Sequence, residues 1–334
     1  MNSSSREIIN EIRYAVRARQ ILRWATLSKQ TKYSDHLSKE IDTRIYQNLK
    51  ALQHIIWFDG DCATFVSEGA AHAMVSLLSS SKDREAENAA WTICRVASRD
   101  DACKAACISA GAIPVLVKML SSDEGRVAEL AVAILGNIVS EEDAEHKAAC
   151  VNAGTVPALV RLMSYPESTN EALVTVSKNA QVERAVRALW NIAKGDDAYK
   201  TACLEAGAVP ALVRLLTSDR GKEEYASRAL WCIARGDATC KTAVISALVK
   251  RMTSSKGREA ERAAAALRNI VWENAAFKAA CVEAGAIPVL VRLLSSGNIF
   301  AINEARDILK MIADHSSEYR RLVIDAGFNP NYPN

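Results

Sequence analysis

Ala206-Gly207-Ala208-Val209-Pro210-Ala211-Leu212-Val213 is one copy of a phrase that also stands as Ala110-Gly111-Ala112-Ile113-Pro114-Val115-Leu116-Val117, Ala153-Gly154-Thr155-Val156-Pro157-Ala158-Leu159-Val160 and Ala284-Gly285-Ala286-Ile287-Pro288-Val289-Leu290-Val291. Weaker copies lie at Gly69 and Gly327, and a seventh, around Ala247-Leu248-Val249, lacks both the Gly and the Pro. The copies recur at roughly 42 residues, a period at which helical repeats stack into a solenoid. A solenoid grows by adding repeats instead of closing a second core, so the 334 residues read as one continuous domain.

Local chemistry gives the content of a repeat. A first short helix is expected through Tyr199 to Glu205, ended by Gly207 in the left-handed conformation that costs glycine nothing. Pro210 then sits in the opening turn of a second helix, where its missing N–H has no partner to lose. Val209, Leu212, Val213, Leu215 and Leu216 give that helix one apolar face. After the polar break Thr217 to Gly221, Ala226, Ala229, Leu230, Ile233 and Ala234 fall at core spacing on a third helix.

A short helix, Gly-x-x-Pro, a second helix and a longer third helix resemble the armadillo repeat, and the resemblance covers residues 41–334. It implies an all-α, right-handed α-solenoid of three-helix repeats, about six to seven of them with an incomplete last one. Residues 1–40 read as an N-terminal helical extension. There Ser4 and Glu7 have capping-box spacing, Ile8, Ile12, Ala15, Ile21 and Leu22 approximate one face, and Arg13, Arg17, Arg19 and Arg23 lie on the other.

The array is irregular in three places. Between Met163 and Arg184 the interval widens to admit Ser164 to Gln181, an insertion expected in loops. Around Val244-Ile245-Ser246-Ala247 about six residues are missing, so the turn between first and second helix must be rebuilt there. The copy at Gly327 is followed by too few residues for its second and third helices.

Hydrophobic residues make up 49% of the chain, with only 14 Gly and 7 Pro, enough to fill a core and too little punctuation for long disordered tracts. The net charge of +3 resides in the first 40 residues, which hold eight Lys/Arg against four Asp/Glu, so a global electrostatic case for nucleic acid fails. Cys107, Cys150, Cys203 and Cys281 share the place filled elsewhere by Phe65 and Ile324, as reduced core residues of the first helix would. Cys103 and Cys107 lie one helical turn apart without further ligands in sequence, and core packing is the expectation there too. The start Met1-Asn2-Ser3-Ser4-Ser5 has no apolar signal region, and no stretch of about 18 apolar residues occurs, so a cytoplasmic or nuclear protein without membrane insertion is expected.

The armadillo resemblance implies that third helices line the ligand-binding surface. With the core Leu or Ile of each third helix as reference, positions five before, two before and two after it lie roughly opposite at 100° per residue. The ladder so obtained contains Trp91 and Arg95, then Asn137, then Arg184, Arg187 and Asn191, then Tyr225 and Arg228, then Arg262 and Asn269. Gln47, Lys50 and His54 begin it, and Glu304, Asp307 and Met311 end it. Its middle is basic. Importin-α proteins pair Trp with Asn four residues apart on this face, but Asn137, Asn191 and Asn269 have Ala133, Arg187 and Ala265 as partners here, and Trp91 faces Arg95. β-Catenin-like armadillo domains use Lys and Arg for acidic segments, which implies charge partners in Arg184, Arg187, Arg228 and Arg262 and backbone clamps in the three Asn.

The expected function is that of a non-catalytic scaffold or adaptor holding an extended acidic or phosphorylated peptide, with a monomer favoured. An importin-α-like receptor for nuclear-localisation signals and a nucleic-acid-binding solenoid are the alternatives. No phosphate loop, HExxH, Gly-x-Ser-x-Gly or kinase motif occurs, and no cofactor or metal is expected. Trp190 and Trp231, one residue before the Asn position, are expected to pack between repeats.

Overall fold

A computed structural model describes residues 3–27, 34–58, 65–66, 69–79, 83–120, 125–140, 144–164, 172–217, 223–255, 257–272 and 275–331. These form nineteen helices, and no strand occurs among the described residues. The chain divides into two compact units, residues 1–158 with 170–181, and residues 159–169 with 182–334.

In the first unit α1 (Ser3–Leu27) and α2 (Ser34–Phe58) pack along each other. Ile9, Ile12, Ala15 and Val16 form the buried face of α1, while Arg13, Tyr14 and Arg17 are exposed. Ile9 takes the place expected of Ile8, and Ser4 lies inside the helix. The side chains of Arg19, Ile21, Leu22 and Arg23 are outside the described residues. Repeats follow as α3 (Ala70–Leu78) and α4 (Asp83–Ala97), then α5 (Asp101–Ser109), α6 (Ala112–Met119) and α7 (Gly125–Ile138), then α8 (Ala144–Asn152). Third helices α2, α4 and α7 stack in order, α2 on α4 and α4 on α7.

Helices α9 (Thr155–Met163) and α10 (Ala172–Ala193) come next. Of the insertion expected in loops, Ala172 to Gln181 is helical and lengthens a third helix to 22 residues, while residues 165–171 lie outside the described residues. The second unit continues with α11 (Asp197–Glu205), α12 (Ala208–Thr217), α13 (Glu223–Ala234), α14 (Ala238–Ser254), α15 (Arg258–Val271), α16 (Ala275–Glu283), α17 (Ala286–Leu293), α18 (Ile299–Ala313) and α19 (Ser317–Asp325).

Punctuation between first and second helices behaves as its chemistry requires. Gly111 has φ +81 and Gly285 φ +69, a region that costs a residue with a Cβ of the order of 1 kcal/mol. The same glycine accepts the end of one helix and opens the next: Gly111 N donates to the Ile108 carbonyl at 2.9 Å, and α6 starts at once with Ala112. Where Gly and Pro are missing the turn is not rebuilt. First and second helices fuse into the uninterrupted 17-residue α14, capped by Asp237, whose Oδ1 accepts from Cys240 N at 2.8 Å. Val244, Ile245, Leu248, Val249 and Met252 bury its apolar side, each such burial being worth about 1.5–3 kcal/mol.

The core of each unit is mostly aliphatic. Cys107, Cys150, Cys203 and Cys281 are fully buried, as expected of first-helix core positions. In the last copy that position belongs to Val323, which is buried, whereas Ile324 is 46% exposed. Burial pushes the Cys107, Cys203 and Cys281 thiols up to about 12, and also Cys150 despite a hydrogen bond with Thr155 that pulls the other way.

Candidate functional site

Ile93, Leu135, Leu189, Leu230, Leu267 and Leu309, the reference residues of successive third helices, are all completely buried. The third helices therefore bury the side from which the ladder was phased.

In the first unit Trp91 is half-buried on α4, and the Arg95 guanidinium lies 5.9 Å from its ring centroid. Asn137 of α7 donates through Nδ2 to the Cys94 carbonyl at 3.4 Å, with the Cys94 Sγ at 3.8 Å. Its amide thus ties one third helix to the next. Lys50 stands 5.8 Å above the Tyr46 ring on α2, and the His54 side chain is outside the described residues.

In the second unit the surface centres on Trp190 of α10. Lys194 Nζ is 3.8 Å from its ring centroid, the Arg228 guanidinium from α13 is 5.2 Å away, and the Tyr225 ring lies at 6.0 Å. An indole face attracts a cation through its quadrupole, so one ring holds two cations from two helices in place. Trp190 and Trp231 were expected between repeats. Both are half-buried, and both also support cations, Arg235 lying 4.7 Å over Trp231.

Arg187 is exposed and has no hydrogen bond or ion pair with any described residue. One turn further on, Asn191 is only 8% exposed, yet its amide has no described hydrogen-bond partner. Arg228 pairs with Glu224 at 2.6 Å, and half-buried Arg262 reaches Glu223 at 3.7 Å. Arg184 is half-buried. The expected Asn position on α13 is held by Cys232, whose thiol is pushed up by burial, with Trp190 hydrogen bonding pulling it down.

Toward the C-terminal end of this unit, α15 and α18 enclose a cleft of about 610 Å³ whose lining includes Asn269, Trp272, Asp307, Lys310 and Met311. Asn269 is exposed with no described hydrogen bond, and Trp272 is 77% exposed. Charge here is matched internally: Arg268 Nε is 2.9 Å from Glu304 and Nη1 is 3.7 Å from Asp307, while Arg320 binds Asp314 at 2.8 Å.

The ladder positions on α10, α13 and α15 thus share one unit, and sequence phase found them. It missed Lys194, Glu223, Glu224 and Trp272. Lys194 was legible as a cation four residues after a Trp, the spacing also of Trp91 with Arg95 and Trp231 with Arg235. Among the described residues no group of three or more His, Cys, Asp or Glu could hold a metal ion, and no single helix is long and apolar enough to cross a membrane.

Residues 37–229 match the family described as the plant U-box protein ARM repeat region. Solved structures similar to the chain include an engineered protein at 27% identity, covering 98% of this chain and 90% of that one with a TM-score of 0.58. A second engineered protein is 33% identical over 74% of this chain and 97% of its own, with a TM-score of 0.53. A designed armadillo repeat protein in complex with the peptide (KR)4 is 28% identical over 72% of this chain and 99% of its own, with a TM-score of 0.52. No curated protein matches.

Proposed function

Because this chain belongs to the armadillo-repeat family, a family of α-solenoid binding scaffolds, we propose that the third-helix face of its second unit is a groove for an extended acidic or phosphorylated peptide, and that the protein acts as a non-catalytic adaptor. One observation carries the reading. Lys194 and Arg228 gather on Trp190, Arg228 with Glu224 as its paired carboxylate, while exposed Arg187 stands on the same helix one turn before Asn191, whose amide has no described partner.

The chemistry follows from the side chains. Arg187 and Arg228 present planar donor forks that match carboxylate or phosphate bidentately, and the indole beneath Arg228 reduces the side-chain entropy lost on binding. An anion entering beside Arg228 competes with Glu224, an exposed i,i+4 partner whose bond is worth only a few tenths of a kcal/mol. Asn191 then donates to and accepts from the peptide backbone, the role its unpaired amide leaves open. Asn137 is engaged with Cys94 and contributes nothing further to this reading.

The designed relative solved with (KR)4 binds a peptide of opposite sign. Against Arg187 and Arg228 such a peptide meets like charge, which costs several kcal/mol at close range. Anisotropy with a fluorescent acidic phosphopeptide, a Lys/Arg octapeptide and a single-stranded oligonucleotide at two salt concentrations tests the proposal. The phosphopeptide should bind best and weaken steeply with salt, and Arg187→Glu with Arg228→Glu should weaken it at least about 100-fold with the melting temperature nearly unchanged. Equal capture by the double variant, or preference for the Lys/Arg peptide or the oligonucleotide, overturns it.

A further inference from the structure

Three tryptophans of the third helices share a pattern that Trp272 lacks. Trp91 carries Arg95, Trp190 carries Lys194 and Trp231 carries Arg235, each cation four residues after its ring and stacked on it. Four residues after Trp272 stands Ala276, and no described cation covers that indole, which is 77% exposed at the mouth of the α15–α18 cleft.

We propose that the cleft is a subsite for an arginine side chain of the ligand, which supplies the cation that Trp272 lacks. Trp272, Asn269, Asp307 and Met311 suit a guanidinium side chain, and Lys310 is the like charge it must pass. The guanidinium plane stacks on the indole, a contact favoured by its weak hydration. Asp307, 52% exposed and only loosely tied to Arg268 at 3.7 Å, offers a carboxylate, and the Asn269 amide has no described partner. Met311 lies along the aliphatic stem. Arg268 does not compete for the indole, being held by Glu304 at 2.9 Å.

This deepens the groove reading and rests on it for the other half of the ligand. Acidic residues against α10 and α13 and an arginine against α15 and α18 make a peptide of two signs. Neighbouring helices lie about 8–10 Å apart and an extended chain advances about 3.3 Å per residue, so roughly three residues span each helix-to-helix step.

Two experiments separate the two ideas. First, N-acetyl-arginine amide and N-acetyl-norleucine amide are titrated into the whole protein while the Trp272 indole N–H resonance is followed by NMR, assigned through Trp272→Phe. The arginine derivative should shift it in a saturable way and norleucine should not. Equal shifts, or none, overturn the subsite whether or not acidic peptides bind.

Second, pentaglutamate is joined by Gly-Ser spacers of two to six residues to Arg, Phe or norleucine, and affinities are compared by anisotropy. The Arg peptide should bind about fivefold more tightly than the norleucine peptide, and Trp272→Ala should remove that advantage while leaving pentaglutamate itself unchanged. An advantage that survives Trp272→Ala, or a Phe peptide that matches Arg, overturns the proposal. Failure of pentaglutamate to bind, with the indole shift intact, removes the acidic groove and leaves the arginine subsite standing.

Discussion

The α10–α13 face and the α15–α18 face are built from the same ladder positions on the same kind of helix, yet they handle charge in opposite ways. On the first, Lys194 and Arg228 lean on Trp190, Arg228 with the exposed Glu224 as its single described carboxylate partner, and Arg187 has no described counter-ion. On the second, Arg268 is spent on Glu304 and Asp307, Asp314 on Arg320, and the indole of Trp272 stays bare. A cation resting on an aromatic ring keeps its charge available, whereas one between two carboxylates does not. Repeat geometry decides which positions face outward, and the neighbours at those positions decide what the surface can hold.

The contrast can be broken from either side. The largest effect is expected from Arg187→Glu with Arg228→Glu, which reverses the sign of the first face and abolishes acidic-peptide capture in anisotropy. Glu304→Gln with Asp307→Asn works in reverse. It frees Arg268, and acidic-peptide affinity should rise about tenfold; an unchanged affinity in anisotropy would contradict the idea that its carboxylate partners are what silence this face. Trp190→Leu keeps every charge but removes the shared ring. Acidic-peptide binding should weaken about three- to fivefold, and an unchanged affinity would show that Arg228 and Lys194 need no brace.

The smallest effect concerns pH. Burial pushes the Glu304 carboxyl above the ordinary glutamate range, with Arg268 pulling against it. Folded protein then retains a proton that the unfolded chain has released, so stability contributed at this site falls as pH rises from the ordinary glutamate range through the raised value. Glu304→Gln should flatten that fall in urea titrations across this window, and an identical slope in the variant would contradict the assignment.

Much of this was legible in the sequence because the signals were local. Gly207 and Pro210 mark a turn by backbone chemistry alone, and Leu230 fixes the phase of α13 because a helical face is a matter of spacing. The fusion in α14 was legible only as a deficit of about six residues, since sequence length does not say whether a shorter connection bends or straightens. The engagement of Asn137 was not legible, because its acceptor, Cys94, belongs to another repeat 43 residues away. Trp272 escaped the ladder because it lies five residues after Leu267, at the helix end. Its meaning is visible only against three other tryptophans that carry their own cations.

Helix α14 has a mechanical consequence. At Gly111, Gly154, Gly207 and Gly285 a glycine divides first from second helix, and each pair of short rods can adjust at that joint. Here a single rod, about 25 Å long at 1.5 Å per residue, touches α11, α12 and α13 before it and α15, α16 and α17 after it. It splints three helices on either side of itself. In a stack held by neighbour interfaces, amide hydrogens along this rod should exchange as one cooperative block, and a pulling force should open the chain elsewhere first.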